Sequence, residues 1–343
     1  MADLDESRFG KRDAFGAYQP KDPITYAPIT EWPPNPGKVW RWFIGWPGFL
    51  LPWYLFYSCL ALAIWVWLTP SEAEMADIAP AWILTILGRN YLLVAVWNGL
   101  WSSRLYLQKA QGTFTKYNPR FPEGKNDSFL WNNQLLDNLT FVLCSGVPIL
   151  TGYEVLGQWF YANGMVPMVD VTSTWGLVWV GFLLLSVPFW TEVHFYIVHR
   201  LIHWPPLYRA VHHLHHRNIN PTPWSGISMH PIEHLLYFSV ILGGCLIPAH
   251  PIVLLAILMR SSLGPGQGHA GFEQLAIPGG GTAAVGDFPH YLHHKYFEVN
   301  YANELLPLDR LFGSFHDGSE AADALLQARM KRKAKRGQTG RVT

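Results

Sequence analysis

The chain has 343 residues and a formal net charge of +1; half of it is hydrophobic, 15% is aromatic and only 14% is charged. Soluble domains carry roughly 25% charged residues, so the deficit points to a surface that faces lipid, and the absence of a basic domain argues against nucleic acid as a partner. The three cysteines, Cys59, Cys144 and Cys245, stand in apolar runs without CxxC spacing, which reads as buried, unpaired thiols and not as a disulfide framework or thiolate metal site.

In chain order, residues 1–42 form a polar, Pro-rich segment without the pattern of a cleavable signal peptide. Phe43–Leu68 then runs without a charge, long enough for a bilayer that needs about 20 residues, with Pro47 and Pro52 bending its entry. Ala79–Ser103 is a second apolar stretch with one charge, Arg89, which either snorkels outward or faces the bundle interior. Leu139–Tyr153 is shorter, is broken by Gly146 and Pro148, and crosses only if it runs on past Glu154. Val171–Thr191 is charge-free and leads directly into a histidine-rich region.

These four stretches predict an all-α, polytopic membrane protein: four spans in two hairpins with a helical cap. The divisions are an N-terminal segment at 1–42, membrane hairpins at 43–170, a histidine-box domain at 171–317 and a basic tail at 318–343. Residues 69–80 and 157–173 hold acids but no Lys or Arg, whereas the N-terminal segment and the 104–134 loop are rich in both. The positive-inside rule therefore places both termini and the cap in the cytoplasm. Leu235–Met259 is also apolar but is split by Pro248 and Pro251, with histidines on both sides. A re-entrant or interfacial hairpin fits this segment better than a single fifth span, because histidines that share one site require an even number of crossings.

All fifteen histidines lie at or after position 194, and seven of them fall within 194–216. His199 and His203 are four apart, so a helix puts both imidazoles on one face. His212, His215 and His216 form HxxHH, and His290, His293 and His294 repeat it. On a helix the adjacent pair in each HxxHH diverges enough to reach two different metals. Eight neutral imidazoles without a carboxylate cluster suit iron or zinc by ligand type, and eight are too many for one tetrahedral zinc, so two metals is the natural count.

These boxes resemble the fatty acid hydroxylase/sterol desaturase superfamily, over roughly residues 175–317. Supporting matches are Glu192 ahead of the first box, His230-Pro231, His269-Ala270-Gly271, and Leu308–Phe315, which is similar to the family's Asp-Arg-x-Phe-Gly signature. The resemblance implies a di-iron centre, O2 as co-substrate and a lipid substrate. It makes His199, His203, His212, His215, His216, His290, His293 and His294 the ligands, adds His230 and His269 to them, and gives Glu192 a catalytic role. His194 and His234 depart from the family pattern and either enlarge the site or stand by; His213, His250 and His316 read as structural or surface residues.

Breaking an unactivated C–H bond calls for a metal–oxygen species, and a bilayer supplies an apolar, water-excluding approach. Trp65, Trp67, Trp175 and Trp179 are candidates for lining a lipid tunnel, with an interfacial aromatic belt as the alternative. No nucleotide motif is present, and Pro278-Gly279-Gly280 lacks the histidine typical of a cytochrome b5 domain, so electrons are expected from a separate ferredoxin- or cytochrome b5-type donor. Zinc is a possible substitute at the same histidines. A histidine-rich metal transporter and a haem-binding membrane cytochrome are the competing readings.

Overall fold

The computed structural model describes residues 5–122 and 124–339; in the basic run 331–336, side chains beyond Arg332 lie outside the described residues. The fold is mostly helical. Helix α1 (Pro36–Ile44) begins where the Asn35 side chain accepts from the Gly37 and Lys38 amides. A turn holding Gly45, Pro47, Gly48 and Pro52 separates it from α2 (Trp53–Leu68). The first apolar stretch is therefore two helices and not one, because proline removes the amide a continuous helix needs. Three helices, where the apolar pattern predicts four, are long and apolar enough to cross a membrane: α3 (Pro80–Leu107), α4 (Gln134–Ala162) and α5 (Thr174–Ile202).

Helix α4 does run on past Glu154, and the reason lies in α3. Arg89 faces inward and forms an ion pair with Glu154, both side chains being almost fully buried. Asn90 donates to Glu154 at 2.9 Å and to Thr151 at 3.1 Å. An isolated charge at this depth is costly, and mutual neutralisation within a hydrogen-bonded cluster is the usual remedy.

The 231–268 segment is a helical hairpin. α6 (Pro231–Cys245) runs alongside α4, with Tyr153 donating to Leu235 O at 2.8 Å and Tyr161 donating to Gly244 O. α7 (Pro251–Gly268) returns through the middle of the bundle, and Val253–Met259 are buried throughout. Its contacts with α2, α3, α4 and α5 make it the central element. The two prolines that split the apolar run, Pro248 and Pro251, lie at the turn between these helices.

Pro148, Pro188 and Pro265 lie inside helices, and a proline there frees a carbonyl four residues earlier. Pro188 in α5 frees Leu184 O, which Tyr54 meets; Pro265 in α7 frees Ser261 O, which Tyr237 meets at 3.0 Å. Cys59 and Cys144 are unpaired but exposed on the outer face, where the sequence pattern suggests burial; that face is apolar and suits lipid.

The helix ends sort into two levels. At one, Trp159 and Asn163 donate to Ala76 O, and Trp179 donates to Pro248 O. At the other, Trp53 donates to Ala284 O, Gln134 to Asn218, and Arg104 to Ala276 O. The N-terminal segment packs on this second level through the hairpin β1 (Gly10–Arg12)–β2 (Tyr18–Pro20) and the Ala27 N–Glu304 O bond. The last helix, α9 (Glu320–Thr339), joins it through Arg329 and Glu298 O. A second hairpin, β3 (Gln274–Ile277)–β4 (Gly281–Ala284), turns through Gly279 and Gly280, whose positive φ angles only glycine adopts freely. The Pro-Gly-Gly sequence is thus a hairpin turn. The two small sheets make the fold mostly, not purely, helical.

Glu154→Leu alone leaves Arg89 buried without a partner and should cost about 3–5 kcal/mol. Arg89→Met/Glu154→Leu should recover most of that loss. Thermal midpoints of the purified protein in detergent report both, and an unrecovered double variant would show that the pair is not what sets the cost.

Candidate metal centre

Four segments converge at the second level. The last turns of α5 carry His199 and His203. The short helix after it begins at Pro205–Leu207, passes through a π-turn at Tyr208–His212 and ends in a helical turn at His213–His216. The wide π-turn brings His212 into line with the box that follows. α8 (Phe288–Tyr296) carries His290, His293 and His294, and Asp287 caps it by accepting from the His290 amide at 3.0 Å. His269 stands at the C-terminus of α7.

Nine histidines form two adjacent groups among the described residues, the ligand atoms within each lying no more than 4.8 Å apart. The first group is His199, His203, His212, His216 and His293; the second is His215, His269, His290 and His294. The divergence expected of HxxHH is seen twice. His212 and His216 enter the first group while His215 enters the second; His290 and His294 enter the second while His293 enters the first. The rings of His199 and His293 have centroids 4.3 Å apart, and those of His216 and His294 from opposite groups 4.9 Å.

The ring orientations are fixed from behind. Nδ1 of His199 lies 2.8 Å from Tyr301 O, that of His293 2.6 Å from Val299 O, and that of His269 2.9 Å from Pro265 O. His215 Nδ1 lies 3.3 Å from Ser228 O. A carbonyl only accepts, so each of these Nδ1 atoms carries the proton, and the neutral ring presents a bare lone pair at Nε2. The Nε2 atoms of His293 and His269 each face those of two further histidines. The Nε2 atoms of His203, His216 and His293 are each 3.1 Å from the other two, and His269 Nε2 is 3.1 Å from both His290 and His294. Bare nitrogens held this close repel unless a cation lies among them, and the spacing fits nitrogens bound to one ion at about 2.0–2.1 Å. The donor set fits a metal pair.

Burial supports this state. It pushes His215 down to about 4 and holds His216, His290, His293 and His294 well below the ordinary imidazole range, so these rings are free bases at neutral pH.

Sequence reasoning missed Glu233. Its carboxylate lies 2.8 Å from His212 Nδ1, both groups are buried, and His212 Nε2 has no protein partner. This is a carboxylate–histidine arrangement that fixes a ligand's tautomer and raises its basicity. The available signal was an acid one helical turn after His230. Asp309, from the C-terminal signature, accepts from the amides of Tyr301 and Ala302 and from Ser314 Oγ, and so holds the loop whose carbonyl orients His199.

Other expected residues stand elsewhere. His230 is outside both groups; its Nδ1 accepts from the Ile232 amide as the N-cap of α6. His234 is closed by Ser145 and Ile227 O, and His194 bonds Ser239. Glu192 accepts from the Leu306 amide at 3.0 Å and does not line the cavity beside the histidines, although its neighbour Thr191 does. That cavity, of about 300 Å³, is bordered by His199 and His212 of one group and His215, His269 and His290 of the other, with Trp53, Tyr57, Phe195 and Tyr237 among its walls. The expected tunnel tryptophans are not there: Trp67 and Trp175 are exposed, and Trp65 packs on His250 at the opposite level. Their positions suit the belt reading.

A bundle of apolar helices closed at one end by two interleaved histidine groups defines a histidine-box protein with two candidate metal sites. The family model for fatty acid hydroxylases matches residues 184–314. A delta(7)-sterol 5(6)-desaturase of Aspergillus fumigatus is 26% identical over 302 residues, 79% of this chain and 90% of that protein. The corresponding enzyme of Saccharomyces cerevisiae is 33% identical over 128 residues, 37% of this chain and 34% of that protein. A methylsterol monooxygenase of Aspergillus fumigatus is 28% identical over 55% of this chain and 62% of that protein. No solved structure gives a significant match. The histidine-box region is thus similar to fatty acid hydroxylases, and the chain as a whole to sterol desaturases and a methylsterol monooxygenase.

His216→Ala and His269→Ala should each lower the bound metal by about one ion per chain, while exposed His213→Ala leaves it unchanged; elemental analysis of purified protein decides. Glu233→Ala should weaken metal binding by about 10- to 100-fold, measured by competition with a chelator. Unchanged affinity would assign Glu233 a packing role only.

Proposed function

We propose that this chain is an integral membrane oxidase that uses O2 and externally supplied electrons to hydroxylate or desaturate a lipid of sterol or fatty acyl type, with two iron ions as its cofactor. The observation that carries this reading is the pair of interleaved histidine groups, both of which open onto one cavity of about 300 Å³. The sterol-acting relatives support the substrate class.

Two irons would supply O2 activation and the oxidising power that side-chain acid–base chemistry lacks. The chain's own residues perform the remaining tasks. The first-group and second-group histidines hold the ions, and the backbone carbonyls behind them keep each ring in one tautomer. Glu233 does the same for His212. The cavity walls exclude water and decide which carbon of the lipid faces His199, His212, His215, His269 and His290. Hydroxylation and desaturation differ in how that carbon and its neighbour are placed, so wall shape governs the outcome. Glu192 acts as a positioning residue through its bond to the 305–306 backbone. His230 is proposed as an N-cap and not a ligand.

Four spans in two hairpins, with α2 as the shortest, and the positive-inside pattern put the metal end in the cytoplasm. A separate ferredoxin- or cytochrome b5-type donor would reach it there. Against a transporter stands the closure of both groups at one end of the bundle, with no chain of ligands along the spans. Against a haem cytochrome stands the convergence of ligand atoms within 4.8 Å of one another, which leaves no gap for a macrocycle.

The test is to strip the metal, reload with ferrous iron without oxygen, and add O2, a reductant, a donor protein and candidate sterols and fatty acyl lipids. Two irons per chain and O2 uptake coupled to an oxidised lipid are expected. Zinc binds the same imidazoles but is redox-inert and should give no turnover. One metal per chain, or equal activity with zinc, would overturn the assignment.

A further inference from the structure

Arg260 lies on α7, the central helix, and its side chain borders two cavities: the one beside the histidines and a second of about 370 Å³. The second is walled by Trp42, Phe49, Tyr54 and Pro188. Arg260, Asn303 and Glu304 are the residues common to both walls. The guanidinium makes one hydrogen bond to protein among the described residues, from Nε to Thr191 Oγ1 at 2.9 Å. No carboxylate there stands within ion-pair distance of it, and the Asn303 side chain makes no hydrogen bond. Arg89, buried in the bundle, is fully paired. Arg260 is half-buried where the two cavities meet, and its terminal nitrogens, free of protein partners among the described residues, are donors that a group entering either cavity can meet.

The chemistry around it selects that group. Arg260 supplies donors only. Glu304 and Asp287 line the same cavity and supply carboxyl oxygens; burial holds the Glu304 carboxyl well above its ordinary range, which favours its neutral form. An anionic head group would meet the arginine but, having no donor, would leave acceptor oxygens of Glu304 and Asp287 unpaired. A hydrocarbon would leave all of them unsatisfied. A hydroxyl both accepts and donates, so it can take a hydrogen bond from Arg260 and give one to Glu304 or Asn303. We infer that Arg260, with Asn303 and Glu304, binds the hydroxyl group of a lipid alcohol, holding the substrate's polar end at the junction of the two cavities and its hydrocarbon against the histidines. This rests on the oxidase reading for the word substrate, but the binding itself does not require turnover.

Binding is therefore measured on zinc-loaded full-length protein in nanodiscs, where no oxidation occurs. The probes are two matched pairs, dihydrocholesterol with cholestane and hexadecanol with hexadecane, plus palmitate. In at least one pair the alcohol should bind about tenfold or more tightly than its hydrocarbon, the worth of a hydrogen bond to a charged donor. Arg260→Met should reduce that preference to below about threefold while leaving hydrocarbon binding and metal content unchanged, and Arg260→Lys should retain part of it. The pair that responds tells a sterol from a linear alcohol. Equal affinity of alcohol and hydrocarbon in both pairs would overturn the inference without needing any variant. So would a preference that survives in a folded, metal-replete Arg260→Met, or tighter binding of palmitate than of either alcohol that is lost on the same substitution. If the alcohol preference behaves as expected but no iron-dependent turnover is found with any lipid, the oxidase reading fails and the hydroxyl site stands.

Discussion

The structure depends on lone pairs that are forced to face each other. Carbonyls of Tyr301, Val299, Pro265 and Ser228 bind the Nδ1 protons of four imidazoles, which leaves their Nε2 atoms bare and aimed inward. Among the described residues, what the Nε2 atoms of His293 and His269 meet from the front is other imidazole nitrogens. A cation among them relieves the crowding of lone pairs, and much of the surrounding fold holds those carbonyls in place. Asp309 is the clearest case. It lies far from the histidines in function but binds the Tyr301 and Ala302 amides, so a signature at the C-terminal edge of the domain acts on the first histidine box.

The histidine pattern was legible in the sequence because helical geometry acts on it directly. Residues four apart share a face and residues one apart do not, so two HxxHH boxes divide themselves between two sites without any knowledge of the fold. The interleaving then has a physical consequence: each site draws on both the 212–216 and 290–294 boxes. Displacing either helix disturbs both histidine groups together. The two sites are one unit.

What the sequence concealed were the partners. Glu233 has only its spacing from His230 as a local signal and Arg260 has none; their meaning comes from His212 and from the cavities that they reach across the fold. His230 shows the converse. Its His-Pro sequence fits a family motif, but the proline that follows makes it a helix N-cap, and the backbone takes its Nδ1. The apolar runs located the helices well but not their breaks, since Pro47 and Pro52 end a helix where hydrophobicity alone continues it. Arg89 and Glu154 look like interruptions when each is read alone. Paired, they are what lets α3 and α4 stay long.

The same accounting explains why the cavity can exist inside a membrane bundle. A space beside a metal centre needs irregular backbone, and irregular backbone at this depth needs hydrogen-bond partners from within the protein. Pro188 and Pro265 introduce the irregularity in α5 and α7, and Tyr54 and Tyr237 supply the missing donors. Those tyrosines are also walls, Tyr237 of the cavity beside the histidines and Tyr54 of the second one. The residues that repair the helices thus shape the space, so the helix defects and the cavities are one construction. Arg260, on α7, reaches across to α5 through its bond to Thr191, with its remaining donors left for whatever enters.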